Sequence, residues 1–197
     1  MNSPIDIFKT NWEKAKSSGD ANAHYCALAT VSAAGQASMR TLVLREVTDD
    51  SFVVFINNTS LKWEELQHSK QFELLVFWPL MMQQYRIRGV YDEVSVDVMS
   101  LYWAKKPYES KIIDHYYTEY QPQTSVVESR NVLLSGINEL KKRYPSDEDV
   151  PFPENARGIS IKASYVEVWH GMVSDRLHQR SLYLLSEGLW EQKTLVP

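Results

Sequence analysis

The sequence holds one cysteine among its 197 residues, Cys26. No internal disulfide is possible, and no cluster of metal-ligating residues accompanies the thiol. Its setting, Tyr25-Cys26-Ala27-Leu28-Ala29, is apolar and predicts a buried, unreactive side chain. The dinucleotide-binding glycine fingerprint and the phosphate-loop motif are both absent, so a nucleotide-like ligand would need another kind of site. A basic surplus is missing too. With 21 Lys and Arg against 25 Asp and Glu, the net charge is −4, which gives no general pull toward nucleic acid or acidic lipid. Any anion site must be a local cluster working against the overall sign. The longest apolar run, Leu74 to Met82, is interrupted by Pro79 and is far too short to cross a bilayer. Met1-Asn2-Ser3-Pro4-Ile5-Asp6 lacks the basic-then-apolar order of a signal peptide. The expectation is a soluble cytoplasmic protein with no membrane or nucleic-acid partner and no metal site.

The chain is 44% hydrophobic and 23% charged, an ordinary globular balance. Its length fits one domain over residues 1–197. Aromatic content is 12%, with 11 Tyr and 6 Trp, which suits flat ligands or a large interface as well as plain core packing. Ser3-Pro4 reads as an N-cap and first helical position, and Ile5, Phe8, Trp12 and Ala15 share one face of a helix over about 4–17. Alternation predicts strands over 24–31, 37–46, 51–56, 71–78, 83–91, 158–169, 178–185 and 189–195, with turns at Ala33-Ala34-Gly35-Gln36 and Thr48-Asp49-Asp50. Thr59 and Ser60 can cap a short helix holding Trp63 and Leu66. A helical insertion occupies about 95–144. Ser95 opens a helix that stops near Pro107, and Ser125-Val126-Val127-Glu128 reads as a capping box ahead of a helix burying Leu133, Ile137, Leu140 and Tyr144. Hairpin-like pairs without regular strand–helix alternation predict a mainly β, α+β chain: an antiparallel sheet or barrel with peripheral helices.

Arg176, His178 and Arg180 stand at alternate positions shortly after Trp169. In an extended strand they project from one face, a row suited to a planar, anionic ligand. A solvated edge strand carrying positive charge accounts for the same spacing. Arg40 and Arg45 bracket Arg40-Thr41-Leu42-Val43-Leu44-Arg45. Five apart, they face opposite sides of a regular strand and would serve two jobs, unless one is only surface. Ser60-Leu61-Lys62 opens a helix whose free amides, with a lysine beside them, could take phosphate. Tyr102 and Lys106 share a helical face, and Ser110, past Pro107, can return toward them as a third phosphate contact. Gln84 could read the polar edge of a heteroaromatic ring. Each of these sets also has a plain structural explanation.

Taken in order, these blocks resemble the pyridoxamine (pyridoxine) 5′-phosphate oxidases, flavin enzymes that form pyridoxal 5′-phosphate. The likeness runs from about Pro4 to Pro197 and is most specific at Trp169, Arg176-Leu177-His178-Gln179-Arg180 and Leu195-Val196-Pro197. It implies an antiparallel split β-barrel with FMN at the interface of a homodimer. It also implies oxidation of pyridoxamine or pyridoxine 5′-phosphate by O2, giving H2O2. By motif matching, Arg40 and Lys62 would hold the FMN phosphate. Thr41, Leu42, Val43, Leu44, Phe55, Ile56, Leu61, Gln84, Gln123, Thr124, Trp169 and Arg180 would line the rest of the cofactor site. Arg45, Tyr102, Lys106 and Ser110 would grip the substrate phosphate, with Arg176 and His178 over its ring as the catalytic pair. The chain departs from the family pattern at Arg45, usually Lys, at Lys106, usually Arg, and at Leu61, usually Arg. A related FMN oxidase acting on a phenazine-type ring, and a split-barrel protein that carries flavin, haem or a B6 vitamer without turnover, remain open on this reading.

Overall fold

The computed structural model describes residues 3–197. Ser3 caps α1 (Pro4–Ser17), its hydroxyl accepting the Ile5 amide, and Pro4 sits where a missing N–H costs nothing. Ile5, Phe8, Trp12 and Ala15 are all buried, as their spacing predicts. Then come β1 (Tyr25–Val31), β2 (Ala37–Val47) and β3 (Ser51–Asn57), joined by tight turns into an antiparallel meander. After α2 (Leu61–Ser69), β4 (Phe72–Trp78) returns to pair with β1, and β5 (Gln83–Glu93) pairs with β4. Three helices follow, α3 (Val96–Ala104), α4 (Tyr108–Glu119) and α5 (Arg130–Arg143), before β6 (Ala156–His170), β7 (Gln179–Ser186) and β8 (Leu189–Thr194).

The strand order is β3-β2-β1-β4-β5-β6, and β6 pairs back onto β3. Six strands therefore close into an antiparallel barrel, with β7 and β8 extending the sheet from β6 and helices outside, as expected. Closure depends on β6 being long, with 15 residues. Its first half pairs with β3, its second half with β7, and nearly all of it with β5. Where β5 and β6 slip register at Arg88/Gly89, a Cβ on Gly89 would stand 1.9 Å from the Lys162 carbonyl oxygen, so only glycine fits.

The core is alternation made physical. Inward residues of β4 and β5 (Leu74, Val76, Trp78, Tyr85, Ile87) are fully buried, and α1 closes over them. The Phe8 ring lies 4.9 Å from Phe52, 5.1 Å from Trp78 and 4.8 Å from Tyr85, with two edge-to-face contacts. A separate cluster of Trp103, Ile112, Tyr116, Leu140 and Val150 holds the helical insertion together. No helix among the described residues is long and apolar enough to cross a membrane.

Several local expectations fail. Residues 125–128 form no capping box. The last helix starts at Arg130, and Ser129 caps it by accepting the Val132 amide at 3.3 Å. Ser129 stands next to the apolar period, whereas the segment before it is tied back to the barrel through Gln123. α4 was not anticipated as an element of its own. It buries Lys111, Asp114 and His115 beside Ile112 and Tyr116, so its apolar stripe is interrupted by charge. The row 176–180 is not a continuous strand either. The Asp175 carboxylate accepts the Leu177 amide at 2.9 Å, Arg176 has φ 59°, and β7 begins only at Gln179.

Candidate functional site

Leu42 of β2 lies at the junction of three adjoining recesses. The largest, about 340 Å³, runs under α3 and α4 and includes Arg45, Phe55, Ile56, Lys62, Tyr102 and Lys106 among its lining. A second, about 220 Å³, is lined by Arg40, Thr41, Leu42, Leu61, Lys62, Gln123 and Thr124. The third contains Thr41, Val43, Arg45 and Phe55. Lys62 and Gln123 belong to both of the first two, which makes one groove of them. Leu44 turns into the barrel core, 2% exposed.

The two arginines reach this groove by different means. Arg40 keeps the parity of Leu42 and is braced by three acceptors: the Leu28 carbonyl at 3.3 Å, the Thr30 hydroxyl, and the Glu65 carboxylate at 3.0 Å. Arg45 stands outward beside buried Leu44, and alternation breaks at the next residue, Glu46. Leu44 pairs with Val54 and Glu46 with Val53, so Arg45 is the extra residue of a bulge. Its guanidinium lies 5.2 Å from the Phe55 ring centroid and lines the main recess. The opposite-face expectation for residues 40 and 45 holds: Arg40 shares the parity of buried Leu44 and pairs with buried Leu28, whereas Arg45 lies on the outer side with Thr41 and Val43, and the bulge interrupts alternation only beyond it. Burial lowers the Arg45 pKa, and the charge of Asp114 offsets part of that.

Lys62 is 8% exposed. Burial, then the neighbouring charge of Arg40, bring its pKa down from 10.5 to about 8, with Glu65 opposing. Its ammonium donates to Gln123 Oε1 at 2.7 Å. Glu65 is buried, which alone would raise its pKa. Hydrogen bonds from Thr30, Arg40 and Ser38 and the Arg40 charge outweigh that and lower it. Ser60 occupies the N-cap of α2 but gives no side-chain cap. Its hydroxyl instead donates to the Asn57 carbonyl at 2.6 Å. Two adjacent cations and an uncapped helix start therefore face one recess, an arrangement that a dianion relieves.

On the α3 side, the Tyr102 hydroxyl donates to Glu46, and the Lys106 ammonium to Asp114. Burial and Glu46 push the Tyr102 pKa up to about 12. Ser110 does not join them. It sits in the first turn of α4 and is not part of the recess lining. Asp114, one turn further along the same helix, takes the place expected for it.

Gln84, Trp169 and Arg180 form a cross-strand row on β5, β6 and β7, Gln84 opposite Trp169 and Trp169 opposite Arg180. The row lies on the outer face of the barrel and lines none of the three recesses. Arg180 donates to buried Glu167 at 2.7 Å, and Arg86 bridges Glu167 to Glu73. His178 packs on Trp169 with ring centroids 4.9 Å apart, and its Nδ1 accepts the Met172 amide at 3.0 Å, so the imidazole proton is on Nε2 when the ring is neutral. Arg176 stands in the adjoining β6–β7 turn. One chain thus assembles Arg40 with Lys62 and Arg45 with Lys106 around a groove, and holds Gln84, Trp169, Arg176, His178 and Arg180 elsewhere. Sequence reasoning missed Asp114 and Glu167. The signal for Glu167 was present: a carboxylate in the apolar run Tyr165-Val166-Glu167-Val168-Trp169 needs cationic partners.

The chain matches the family model described as pyridoxamine 5′-phosphate oxidase over residues 20–143. It is 32% identical over 195 residues to the pyridoxine/pyridoxamine 5′-phosphate oxidase of Pelagibacter ubique, covering 98% of this chain and 91% of that one. It is 34% identical over 196 residues to the protein of that name from Cytophaga hutchinsonii, covering 99% and 89%. Among solved structures, PhzG from Burkholderia lata, in complex with tetrahydrophenazine-1-carboxylic acid, superposes with a TM-score of 0.88 at 22% identity, covering 100% of this chain and 94% of that one. A pyridoxamine 5′-phosphate oxidase-related, FMN-binding protein from Nostoc punctiforme gives 0.78 at 17% identity, covering 100% of both. At these identities the two structures speak for the fold.

Proposed function

Given that the chain belongs to the pyridoxamine 5′-phosphate oxidase family, we propose that it oxidises pyridoxamine or pyridoxine 5′-phosphate to pyridoxal 5′-phosphate, with O2 as acceptor. FMN is the cofactor. The observation that carries the substrate reading is the pairing of cations around one groove. Arg40 and Lys62 line one recess, Arg45 and Lys106 the next, and a phosphate can be taken at each. The first pair fits the FMN phosphate because Lys62 is held at a lowered pKa beside Arg40, at a helix start with no side-chain cap. Bound FMN supplies the two-electron acceptor, which O2 regenerates with release of H2O2.

The protein's part is positional. Arg45, Tyr102 and Lys106 bind the ester end of the substrate, and that remote binding energy orients the ring. Thr41, Leu42, Val43, Phe55, Ile56, Leu61, Gln123 and Thr124 line the cofactor side of the groove. A second copy of the chain brings Gln84, Trp169 and Arg180 to the flavin, and Arg176 with His178 over the substrate ring, which a single copy leaves on the outer face. Arg176 orders the substrate and His178 fixes its ring substituents; neither needs to act as an obligatory base.

The test is a visible spectrum. FMN-loaded protein mixed anaerobically with pyridoxamine 5′-phosphate is expected to bleach, and to regain colour with peroxide release on admission of air. A spectrum unmoved by either phosphorylated vitamer, but bleached by the unphosphorylated forms or another ring, would refute the substrate assignment.

A further inference from the structure

Among the described residues the main recess carries one carboxylate in its lining, Asp114, against Arg45, Lys62, Lys105, Lys106 and Arg157. Asp114 is 8% exposed. Its carboxylate accepts from the Lys106 ammonium, and the two side chains are 11% and 20% exposed, so the pair is largely shielded from water. The helix turn beneath it is fixed, because the Asp114 carbonyl accepts from the buried Asn155 amide group at 2.7 Å. At the rim the Tyr102 hydroxyl is held in the same way by Glu46. Two groups assigned to the substrate's phosphate are therefore already engaged by acids of the same chain.

We propose that Asp114 is a specificity-determining residue, a built-in counter-anion that competes with the substrate's phosphate for Lys106. The inference rests on the proposed reading of the recess as the substrate site. A phosphate arriving at Lys106 either displaces the carboxylate or sits beside it. Both lower affinity, since an ion pair in a half-buried site is exchanged rather than gained, and like charges close together repel. The recess thus binds phosphorylated pyridines more loosely than its cation content implies, and releases a phosphorylated product more readily. The effect is confined to anionic ligands: a ring without phosphate gains nothing from freeing Lys106.

The experiment is calorimetric titration of FMN-loaded protein with 4-deoxypyridoxine 5′-phosphate, which lacks the oxidisable group, and with 4-deoxypyridoxine. Asp114→Asn is expected to bind the phosphorylated probe about tenfold tighter than wild type, the scale of one close charge contact in a partly buried site, with affinity for the unphosphorylated probe unchanged. Glu109→Gln, an exposed neutralisation on the same helix, is expected to change neither. Equal or weaker binding of the phosphorylated probe by Asp114→Asn overturns the proposal, as does equal tightening in Glu109→Gln, which would be a bulk-charge effect. If Asp114→Asn fails to fold, Asp114→Ser gives the same comparison. If neither wild type nor variant binds the phosphorylated probe, the reading of the recess itself has failed, and the inference falls with it.

Discussion

Lys62 makes flavin affinity depend on pH with a defined sign. Burial and Arg40 place its pKa at about 8 in the ligand-free protein, against 10.5 for an ordinary lysine. Between those values the unfolded chain holds more protons than the folded one, so the ligand-free protein gains stability as pH rises through that window. A bound phosphate dianion favours the ammonium and draws the pKa back up. Binding therefore takes up a proton above pH 8, and affinity falls as pH rises. If the bound-state pKa returns to 10.5, the FMN dissociation constant should be about 30-fold larger at pH 9.5 than at pH 7. The phosphate of FMN is already mostly dianionic over that range, with its second pKa near ~6, so it adds little slope. Quenching of flavin fluorescence on titration into apoprotein measures this directly. Lys62→Gln should bind FMN more weakly at pH 7 and show a flat profile. A wild-type constant that is level from pH 7 to 9.5, or the same slope in Lys62→Gln, would refute the placement of the FMN phosphate against Lys62.

Arg176→Ala is expected to lower turnover strongly while flavin stays bound, checked by steady-state rates and the flavin spectrum of the same sample; unchanged rates remove Arg176 from the site. Phe8→Ala should destabilise the fold by about 3–5 kcal/mol in urea unfolding, because Phe8 is fully buried among three rings. A loss under about 1 kcal/mol would mean that α1 is not part of the cooperative core. Leu75 lies on the outer barrel face, at the Arg86 register position beside the Gln84–Trp169–Arg180 row. On the proposed pairing of two copies through this face, Leu75→Glu should halve the mass measured by sedimentation and weaken FMN binding together. A wild-type protein that sediments as a single chain, or a variant that keeps both values, would refute that pairing.

Most of the barrel was legible because two-residue alternation fixes which face of each strand is inside, and an error of one residue at an end leaves that face intact. α1 was legible for the matching reason at helical spacing. What escaped was whatever depends on contacts distant in sequence. α4 hides its period because Lys111 and Asp114 are buried through ion pairs, Lys111 with Asp147 at 2.9 Å and Asp114 with Lys106. Arg176 looked like strand because no glycine or proline stands between Met172 and Gln179; Asp175 makes the turn through a side-chain bond. The groove was half legible. Arg40, Lys62, Arg45 and Lys106 could be named as cations, but the meeting of Arg40 with Lys62 depends on Thr30 of β1, Glu65 of α2 and Gln123 beyond α4.

The bulge in β2 separates architecture from recognition. Since Arg45 has no opposite number on β3, the ladder would close in register without it: excising this one position leaves every inter-strand partner in place and removes a guanidinium from the groove. Chemistry at this edge of the barrel can therefore be rewritten by insertion or deletion as well as by substitution, without renegotiating the sheet.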